Sequence, residues 1–161
     1  MKVCVLCDSR TGNTEQLADV IREVYSGNLV EDTDQADIVF LGSWTDKGSC
    51  SDAAREVAAS LHGKQVFLFG TCGFGGSDAY YEQIFHRTAA LLDSSNRIVG
   101  RFYCQGKMPV SVKERYQNML RQDPGNQRMK ASLENFDRAL SHPDGQDLQR
   151  LRDTLAALSL S

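Results

Sequence analysis

The sequence predicts an α/β fold in which a mainly parallel β-sheet carries helices on both faces. Short apolar runs alternate along the chain with segments of helical periodicity. Residues 37–42 and 66–70 are apolar at nearly every position, as expected of strands buried on both faces. The chain has 161 residues, of which 41% are hydrophobic, which suffices for one domain with a substantial core.

Five apolar runs are predicted as strands, and the segments between and after them as helices. The strand runs are residues 2–7, 28–31, 37–42, 66–70 and 98–104. The predicted helices are residues 13–25, 51–61, 79–92, 112–122, 129–140 and 147–158. The first helix places Leu17, Val20 and Ile21 on one face, and residues 28–31 form the weakest strand candidate. Polar positions alternate with apolar ones in residues 98–104, which favours a strand at the sheet edge.

The composition becomes more polar after the fifth strand. Residues 105–130 are predicted as a polar insertion or extension that precedes the C-terminal helices. One of the last three helices is expected to cover the sheet, because an open parallel sheet buries both faces. Residues 1–161 are predicted to form a single domain.

Composition disfavours several classes of protein. Charged residues make up 24% of the chain, the net charge is -3, and no basic cluster stands out, so nucleic acid is not an expected partner. No signal peptide and no apolar run of membrane-spanning length are visible, so we expect no membrane partner and a cytoplasmic location. The cysteines are scattered and odd in number, which favours reduced thiols. They are Cys4, Cys7, Cys50, Cys72 and Cys104.

A polar loop, Ser9 to Thr14, lies between the first strand and the first helix. Ligands of open parallel sheets bind beyond the carboxyl ends of the strands. The helix that follows offers unpaired N–H groups and a partial positive charge. Hydroxyls and the Asn13 amide add donors, and Gly12 allows close approach of the backbone. The loop is therefore predicted to hold a phosphate group without a cation.

Other phosphate chemistries fit the sequence less well. The dinucleotide pattern G-x-G-x-x-G is absent from this first turn, and so is the P-loop pattern. Cys4 and Arg10 have the C-x5-R spacing of cysteine phosphatases, but Cys4 lies inside a strand, where burial makes a thiol inert. Cys4 and Cys7 should face opposite sides of that strand, which disfavours a dithiol or metal pair. The three histidines are predicted to be solvated helix residues, and no metal site is expected.

The loop S-R-T-G-N-T at residues 9–14, with a strand before it and a helix after it, resembles the FMN phosphate loop of the flavodoxin family. Residues 42–48 (GSWTDKG) and 70–81 (GTCGFGGSDAYY) resemble the two loops that clasp the isoalloxazine ring in that family. The resemblance covers roughly residues 1–105. It implies a flavodoxin-like three-layer sandwich with a five-stranded parallel sheet in the order 2-1-3-4-5.

The resemblance implies FMN as the cofactor and a set of cofactor-binding residues. These are Ser9, Arg10, Thr11, Gly12, Asn13, Thr14, Ser43, Trp44, Thr45, Asp46, Lys47, Gly48, Thr71, Cys72, Gly73, Phe74, Gly75, Tyr80 and Tyr81. Trp44 is expected to stack on the flavin, since offset aromatic stacking is worth about 0.5–1.5 kcal/mol beyond burial. Phe74, Tyr80 and Tyr81 are alternatives for the second ring face. Gly48 and Gly73 are candidate pivots for a peptide that bonds to the reduced ring.

The resemblance implies an electron-transfer protein that passes electrons between a reductase and an acceptor protein. We expect no NADPH-binding domain within these residues and no catalytic side chain. Asp46 and Asp78 would lower the flavin potential, whereas Lys47 argues against a very low one. One alternative is an FMN-dependent oxidoreductase acting on a quinone or tetrapyrrole, with residues 105–130 as a lid or docking arm. Another is a flavin-free interaction module, because a fold alone does not fix function.

Overall fold

A computed structural model of the chain describes residues 1–75 and 77–160. Gly76, within the predicted loop 70–81, and Ser161 lie outside the described residues. The strands are β1 (Val3–Asp8), β2 (Ile38–Asp46), β3 (Ser49–Cys50), β4 (Gln65–Cys72) and β5 (Arg97–Gln105). The helices are α1 (Asn13–Val24), α2 (Asp52–Ser60), α3 (Asp78–Ala89), α4 (Val110–Gln122), α5 (Gln127–Ala139) and α6 (Gly145–Ala156).

The parallel strands lie in the order β1-β2-β4-β5, and β3 pairs antiparallel with β2. This order differs slightly from the predicted one, because residues 28–31 do not form a strand. They keep only an isolated bridge between Leu29 and Val3. The segment is short and largely exposed, and Asp32 caps a 3₁₀ turn (Thr33–Gln35) by accepting a hydrogen bond from Asp34 N at 2.9 Å.

The loop predicted at residues 42–48 is largely a hairpin. β2 continues through Trp44 to Asp46 and then reverses into β3 through a two-residue turn. Both turn residues have positive φ, 51° at Lys47 and 77° at Gly48. Two-residue hairpins favour such turns, because their twist matches that of the strands. The loop predicted at residues 70–81 is also shorter, because β4 ends at Cys72 and α3 begins at Asp78.

The sheet is buried between two helical layers, which confirms the predicted three-layer sandwich. One core cluster joins α1 and α6 to the sheet and includes Leu17, Phe40 and Leu151. The cluster on the opposite face includes Ala54 of α2, and Phe85 of α3 packs against it. α6 is therefore the C-terminal helix that covers the sheet.

α4 and α5 form a helical hairpin inserted between β5 and α6. Tyr116 of α4 and Phe136 of α5 are buried. Most other residues of α4 and α5 are exposed or half-buried, in keeping with the polar composition of this segment. Among the described residues, no helix has the length and apolar character needed to cross a membrane.

Candidate functional site

A cavity of about 600 Å³ opens at the carboxyl ends of the parallel strands. Its volume lies within the range of small-molecule sites, roughly 300–1,000 Å³. All three predicted loops contribute to its lining. The predicted residues that line it are Arg10, Thr11, Asn13, Trp44, Thr45, Asp46, Lys47, Gly48, Thr71, Cys72, Gly73, Phe74 and Tyr80. The predicted residues outside the described lining are Ser9, Gly12, Thr14, Ser43, Gly75 and Tyr81.

The loop before α1 is shaped by its own residues. Ser9 Oγ accepts hydrogen bonds from Gly12 N at 3.1 Å and from Glu15 N at 3.3 Å. Gly12 occupies the N-cap position with φ 87°, a conformation that glycine adopts without steric cost. Gly12 itself has no side chain with which to cap the helix. Ser9 binds the N–H group of Glu15, and the N–H groups of Asn13 and Thr14 remain available to an anion.

The two residues that follow Gly12 are buried and bind to other parts of the chain. Asn13 Nδ2 donates to Lys107 O at 2.8 Å, which connects the phosphate loop to the β5–α4 connection. Its Oδ1 is buried and has no hydrogen-bond partner within the described chain. Thr14 Oγ1 lies 2.8 Å from Thr71 Oγ1 in β4. Thr14 thus joins α1 to the sheet.

Trp44 is held at the cavity by both neighbouring strands. Its Nε1 donates to Asp8 Oδ2 at 3.1 Å, and the Arg10 guanidinium lies over the ring, 5.2 Å from its centroid. Thr45 Oγ1 donates to Thr71 O at 2.9 Å. Ser43 does not line the cavity, because its Oγ accepts from Ser51 N at 2.8 Å at the start of α2.

The carbonyl groups of both predicted pivot glycines are hydrogen-bonded. Gly73 O accepts from Gln105 Nε2 and from Asn135 Nδ2, each at 3.0 Å. Gln105 Nε2 also donates to Asn135 Oδ1, so the two buried amides form one network. Gly48 O accepts from the exposed guanidinium of Arg87 at 2.9 Å. The Gly73 peptide is therefore fixed by buried side chains, and the Gly48 peptide by a surface residue.

The remaining aromatic candidates differ in exposure. Phe74 lines the cavity and is 46% exposed. Tyr80 lies in the first turn of α3, and burial raises the pKa of its hydroxyl, with a smaller contribution from Cys72. Tyr81 lies outside the described lining, close to Gly75, where an added Cβ would come within 2.7 Å of the Tyr81 hydroxyl. Phe74 and Tyr80 are thus placed beside the cavity with Trp44, and Tyr81 is not.

Comparison with known proteins assigns the family. A family model described as a flavodoxin domain matches residues 4–156. The chain belongs to the flavodoxin-domain family. It is 36% identical over 159 residues to the flavodoxin-like domain-containing protein BilS of Clostridioides difficile, covering 92% of this chain and 90% of that protein. It is 38% identical over 173 residues to BilS of Clostridium symbiosum, with the same coverage.

Solved structures agree on the fold. A flavoprotein from Lactobacillus acidophilus, solved in complex with FMN, superposes with a TM-score of 0.51 at 14% identity, covering 63% of this chain and 92% of that one. The rubredoxin oxygen:oxidoreductase of Desulfovibrio gigas superposes with a TM-score of 0.53 at 16% identity, covering 97% of this chain and 37% of that one. The predicted flavodoxin-like fold is confirmed. The family assignment supports FMN as the cofactor and a flavin-based redox role.

Eight lining residues lie beyond residue 105, outside the segment whose motifs resemble flavodoxins, although the family model extends to residue 156. They are Gly106, Lys107, Met108, Pro109, Ser111, Val112, Arg115 and Tyr116. Sequence reasoning did not place them at the site, although it proposed a lid or docking arm for residues 105–130. No local motif marks them, and their position follows from the contact of Asn13 with Lys107 O.

Two other sequence predictions concern the thiols and histidines. Cys4 is buried and its pKa is raised by burial and by Asp32, and it packs on the face opposite Cys7, as predicted. This flavodoxin-domain chain therefore lacks the thiolate that the C-x5-R chemistry needs at Cys4. The prediction that His142 is a solvated helix residue is wrong. It is half-buried between α5 and α6, and its Nδ1 lies 2.6 Å from Asp147 Oδ2.

Proposed function

We propose that this flavodoxin-domain protein binds FMN in the 600 Å³ cavity and carries electrons between a reductase and an acceptor protein. The supporting observation is the convergence of the phosphate loop, the β2–β3 hairpin and the β4–α3 loop on that cavity. Bound FMN would supply one-electron redox chemistry. The chain would bind the cofactor, orient it and control its exposure to water.

The residues at the start of α1 suit the phosphate and ribityl parts of FMN. The N–H groups of Asn13 and Thr14 at the start of the helix and the Thr11 hydroxyl would bind the phosphate. Asn13 Oδ1, buried and unpartnered within the described residues, calls for a hydrogen-bond donor. Leaving such a group unsatisfied costs about 1–3 kcal/mol. The ribityl hydroxyls of FMN are donors of that kind.

The opposite end of the cavity suits the aromatic ring of FMN. Trp44, Phe74 and Tyr80 provide aromatic surface, and the residues from Thr71 to Gly73 provide backbone groups. The hydrogen bonds to Gly73 O hold that backbone in one orientation. A fixed arrangement of stacking and backbone dipoles would set the energies of the oxidised and reduced cofactor.

Titration of the apoprotein with FMN and with riboflavin tests the proposal. We expect FMN to bind about a hundredfold more tightly, because riboflavin lacks the phosphate that the α1 loop would hold. Thr11→Ala should weaken FMN binding about tenfold and leave riboflavin binding almost unchanged. Thr33→Ala, in the 3₁₀ turn, is the matched control. Equal affinity for both flavins would exclude the loop as a phosphate site.

Electron carriage requires a second measurement. Photoreduction of the FMN-loaded protein should proceed in two resolvable one-electron steps, and a flavodoxin reductase with NADPH should reduce the protein. A colourless protein that binds no flavin would instead indicate an interaction module.

A second candidate is an FMN-dependent oxidoreductase acting on a small quinone or tetrapyrrole. It is favoured by the enclosure of the cavity by Met108, Val112 and Tyr116, which provide apolar surface beyond the three predicted loops. Rapid turnover of a quinone with NAD(P)H and no added reductase would support this candidate over the carrier.

A further inference from the structure

We propose that the mouth of the cavity docks an acidic surface of a redox partner protein. The inference rests on the electron-carrier function proposed above. It depends on four cationic residues that line the cavity, Arg10, Lys47, Lys107 and Arg115, here called the basic rim. The expected partner is a protein with clustered Asp and Glu side chains around its own redox centre.

The basic rim is a local reversal of the charge of the whole chain. The chain carries 18 basic and 21 acidic residues, for a net charge of -3. Around the cavity the balance is opposite, because Asp46 is the one acidic residue in the described lining. The four cations come from separate segments: the phosphate loop, the β2–β3 turn, the β5–α4 loop and α4. The fold, and not a run of sequence, brings them together.

The rim cations are exposed, and within the described residues none of them forms an ion pair. Arg10 instead lies over Trp44, and Arg115 lies 5.7 Å from the centroid of the Tyr116 ring. Lys113, on the same helix as Arg115, is neutralised by Asp137 at 3.4 Å. Four cations therefore stand against one carboxylate, that of Asp46, in the described lining.

Apolar side chains are exposed next to the rim. Phe74 in the cavity lining is 46% exposed, and Val110 at the start of α4 is 64% exposed. Protein interfaces combine an apolar centre with a polar border, and transient redox contacts bury little area. Complementary charge accelerates and orients the encounter of two proteins. An acidic redox protein fits this combination.

Charged electron acceptors probe the rim on the FMN-loaded protein. Each ferricyanide trianion takes one electron from the reduced protein and becomes ferrocyanide, and hexaammineruthenium(III) does the same as a trication. In stopped-flow measurements, we expect the ferricyanide rate to fall and the hexaammineruthenium rate to rise with added salt. Lys107→Glu/Arg115→Glu should slow ferricyanide about tenfold at low salt and reverse its salt dependence.

The matched control is Arg55→Glu/Lys130→Glu, which makes the same charge change outside the described cavity lining, on α2 and α5. It should leave both rates within about twofold of wild type. An equal loss of ferricyanide rate in both double variants would overturn the proposal, because net charge and not the rim would then explain the effect.

Retention on immobilised poly-glutamate is a readout that needs no flavin. We expect the wild type to be retained at low salt despite its negative net charge, and the rim variant to pass unretained. The control variant should still bind. Failure of the protein to bind FMN would contradict the proposed function. Retention of the apoprotein on poly-glutamate would still show whether the basic rim binds an acidic polymer. If ferricyanide reduction is salt-sensitive but the protein is not retained on poly-glutamate, the docking proposal is overturned, and the rim would instead attract a small anionic substrate.

Discussion

The two ends of the cavity are constructed in different ways. At the phosphate end, Ser9 Oγ binds the N–H groups of residues three and six positions later in the chain. At the ring end, Gly73 O is bound by Gln105 and Asn135, which are 32 and 62 residues away. The turn at the end proposed for the phosphate is thus set by a short motif, and Asn13 and Thr14 then join it to Lys107 and Thr71. The ring end depends on the assembly of β5 and the α4–α5 hairpin.

The largest effect is expected at the phosphate end, from Gly12→Val. Gly12 has φ 87°, which a β-branched residue adopts only with strain of about 1–3 kcal/mol. Relief of that strain would move the N–H groups of α1, and FMN affinity should fall about tenfold to a hundredfold. Fluorescence titration with FMN measures this loss.

Gly63→Val is the matched control, because Gly63 has φ 64° and a Cβ at either glycine meets no atom of the described chain within 4 Å. Both variants should lose similar thermal stability, and only Gly12→Val should lose affinity for FMN. Equal FMN affinity in the two variants would show that the local loop geometry does not control binding.

A smaller effect is expected at the ring end, from Asn135→Ala. The substitution removes one of the two donors to Gly73 O and leaves Gln105 Nε2 without its side-chain acceptor. Loss of a buried amide costs about 1–3 kcal/mol, most of it in stability. We expect a lower midpoint of denaturation and about a fivefold loss of FMN affinity. Asn118→Ala, an exposed position on α4 that binds Arg121, should change neither. Unchanged FMN affinity in Asn135→Ala would show that the hydrogen bond from α5 to Gly73 O does not contribute to FMN binding.

The smallest effect on binding is expected from Asp147→Asn, which acts from a distance on Lys107 in the β5–α4 connection. Lys107 N donates to His142 O at 2.9 Å, and the His142 ring is held by Asp147, which also binds Asp144 N at 2.9 Å and Arg150. Burial alone would raise the pKa of Asp147, but these partners lower it below its ordinary value of 3.8. The charged carboxylate is therefore the form that stabilises the fold.

A carboxyl group with a lowered pKa contributes stability above its unfolded pKa and loses it as the pH falls through the folded value. Asp147→Asn should cost about 1–2 kcal/mol of unfolding free energy at pH 7. The difference from wild type should shrink below pH 4, as urea denaturation at pH 7 and pH 3 would show. Asp137→Asn, an exposed acid of α5, should cost less than about 0.5 kcal/mol at both values. A difference that stays constant with pH would contradict the charged role.

The contrast between the two ends also explains what the sequence could predict. Hydrophobic periodicity identified α1 and the buried strands, because those patterns are local. The S-R-T-G-N-T motif predicted the loop between β1 and α1, because strand, turn and helix follow one another directly. Residues 28–31 were predicted as a strand, but an apolar pair is too short to pair when a capped turn follows. The residues from Ser43 to Asp46 were predicted as a loop, because a two-residue turn at Lys47 and Gly48 has little sequence signal beyond the glycine.

The ring end could be predicted only in part. The loops of Trp44, Phe74 and Tyr80 predict that these residues lie at the cavity, but they do not predict the hydrogen bonds that Gln105 and Asn135 donate to Gly73 O. Asn135 reaches Gly73 because the α4–α5 hairpin folds back over the rim of the sheet. A contact between a side chain and a backbone carbonyl 62 residues away leaves no periodic pattern in the sequence. The basic rim could be predicted only in part for the same reason, since Arg10 and Lys47 were expected at the site, and Lys107 and Arg115 were not.

The buried thiol beside the cavity gives the protein resistance to chemical damage. Burial raises the pKa of Cys72 to about 12, with a smaller opposing contribution from Thr45. At neutral pH such a thiol is almost entirely protonated, and the thiolate is the form that peroxides attack. FMN bound in the cavity as proposed would generate peroxide when its reduced form meets oxygen. Cys72 would then remain in a form that peroxide scarcely modifies.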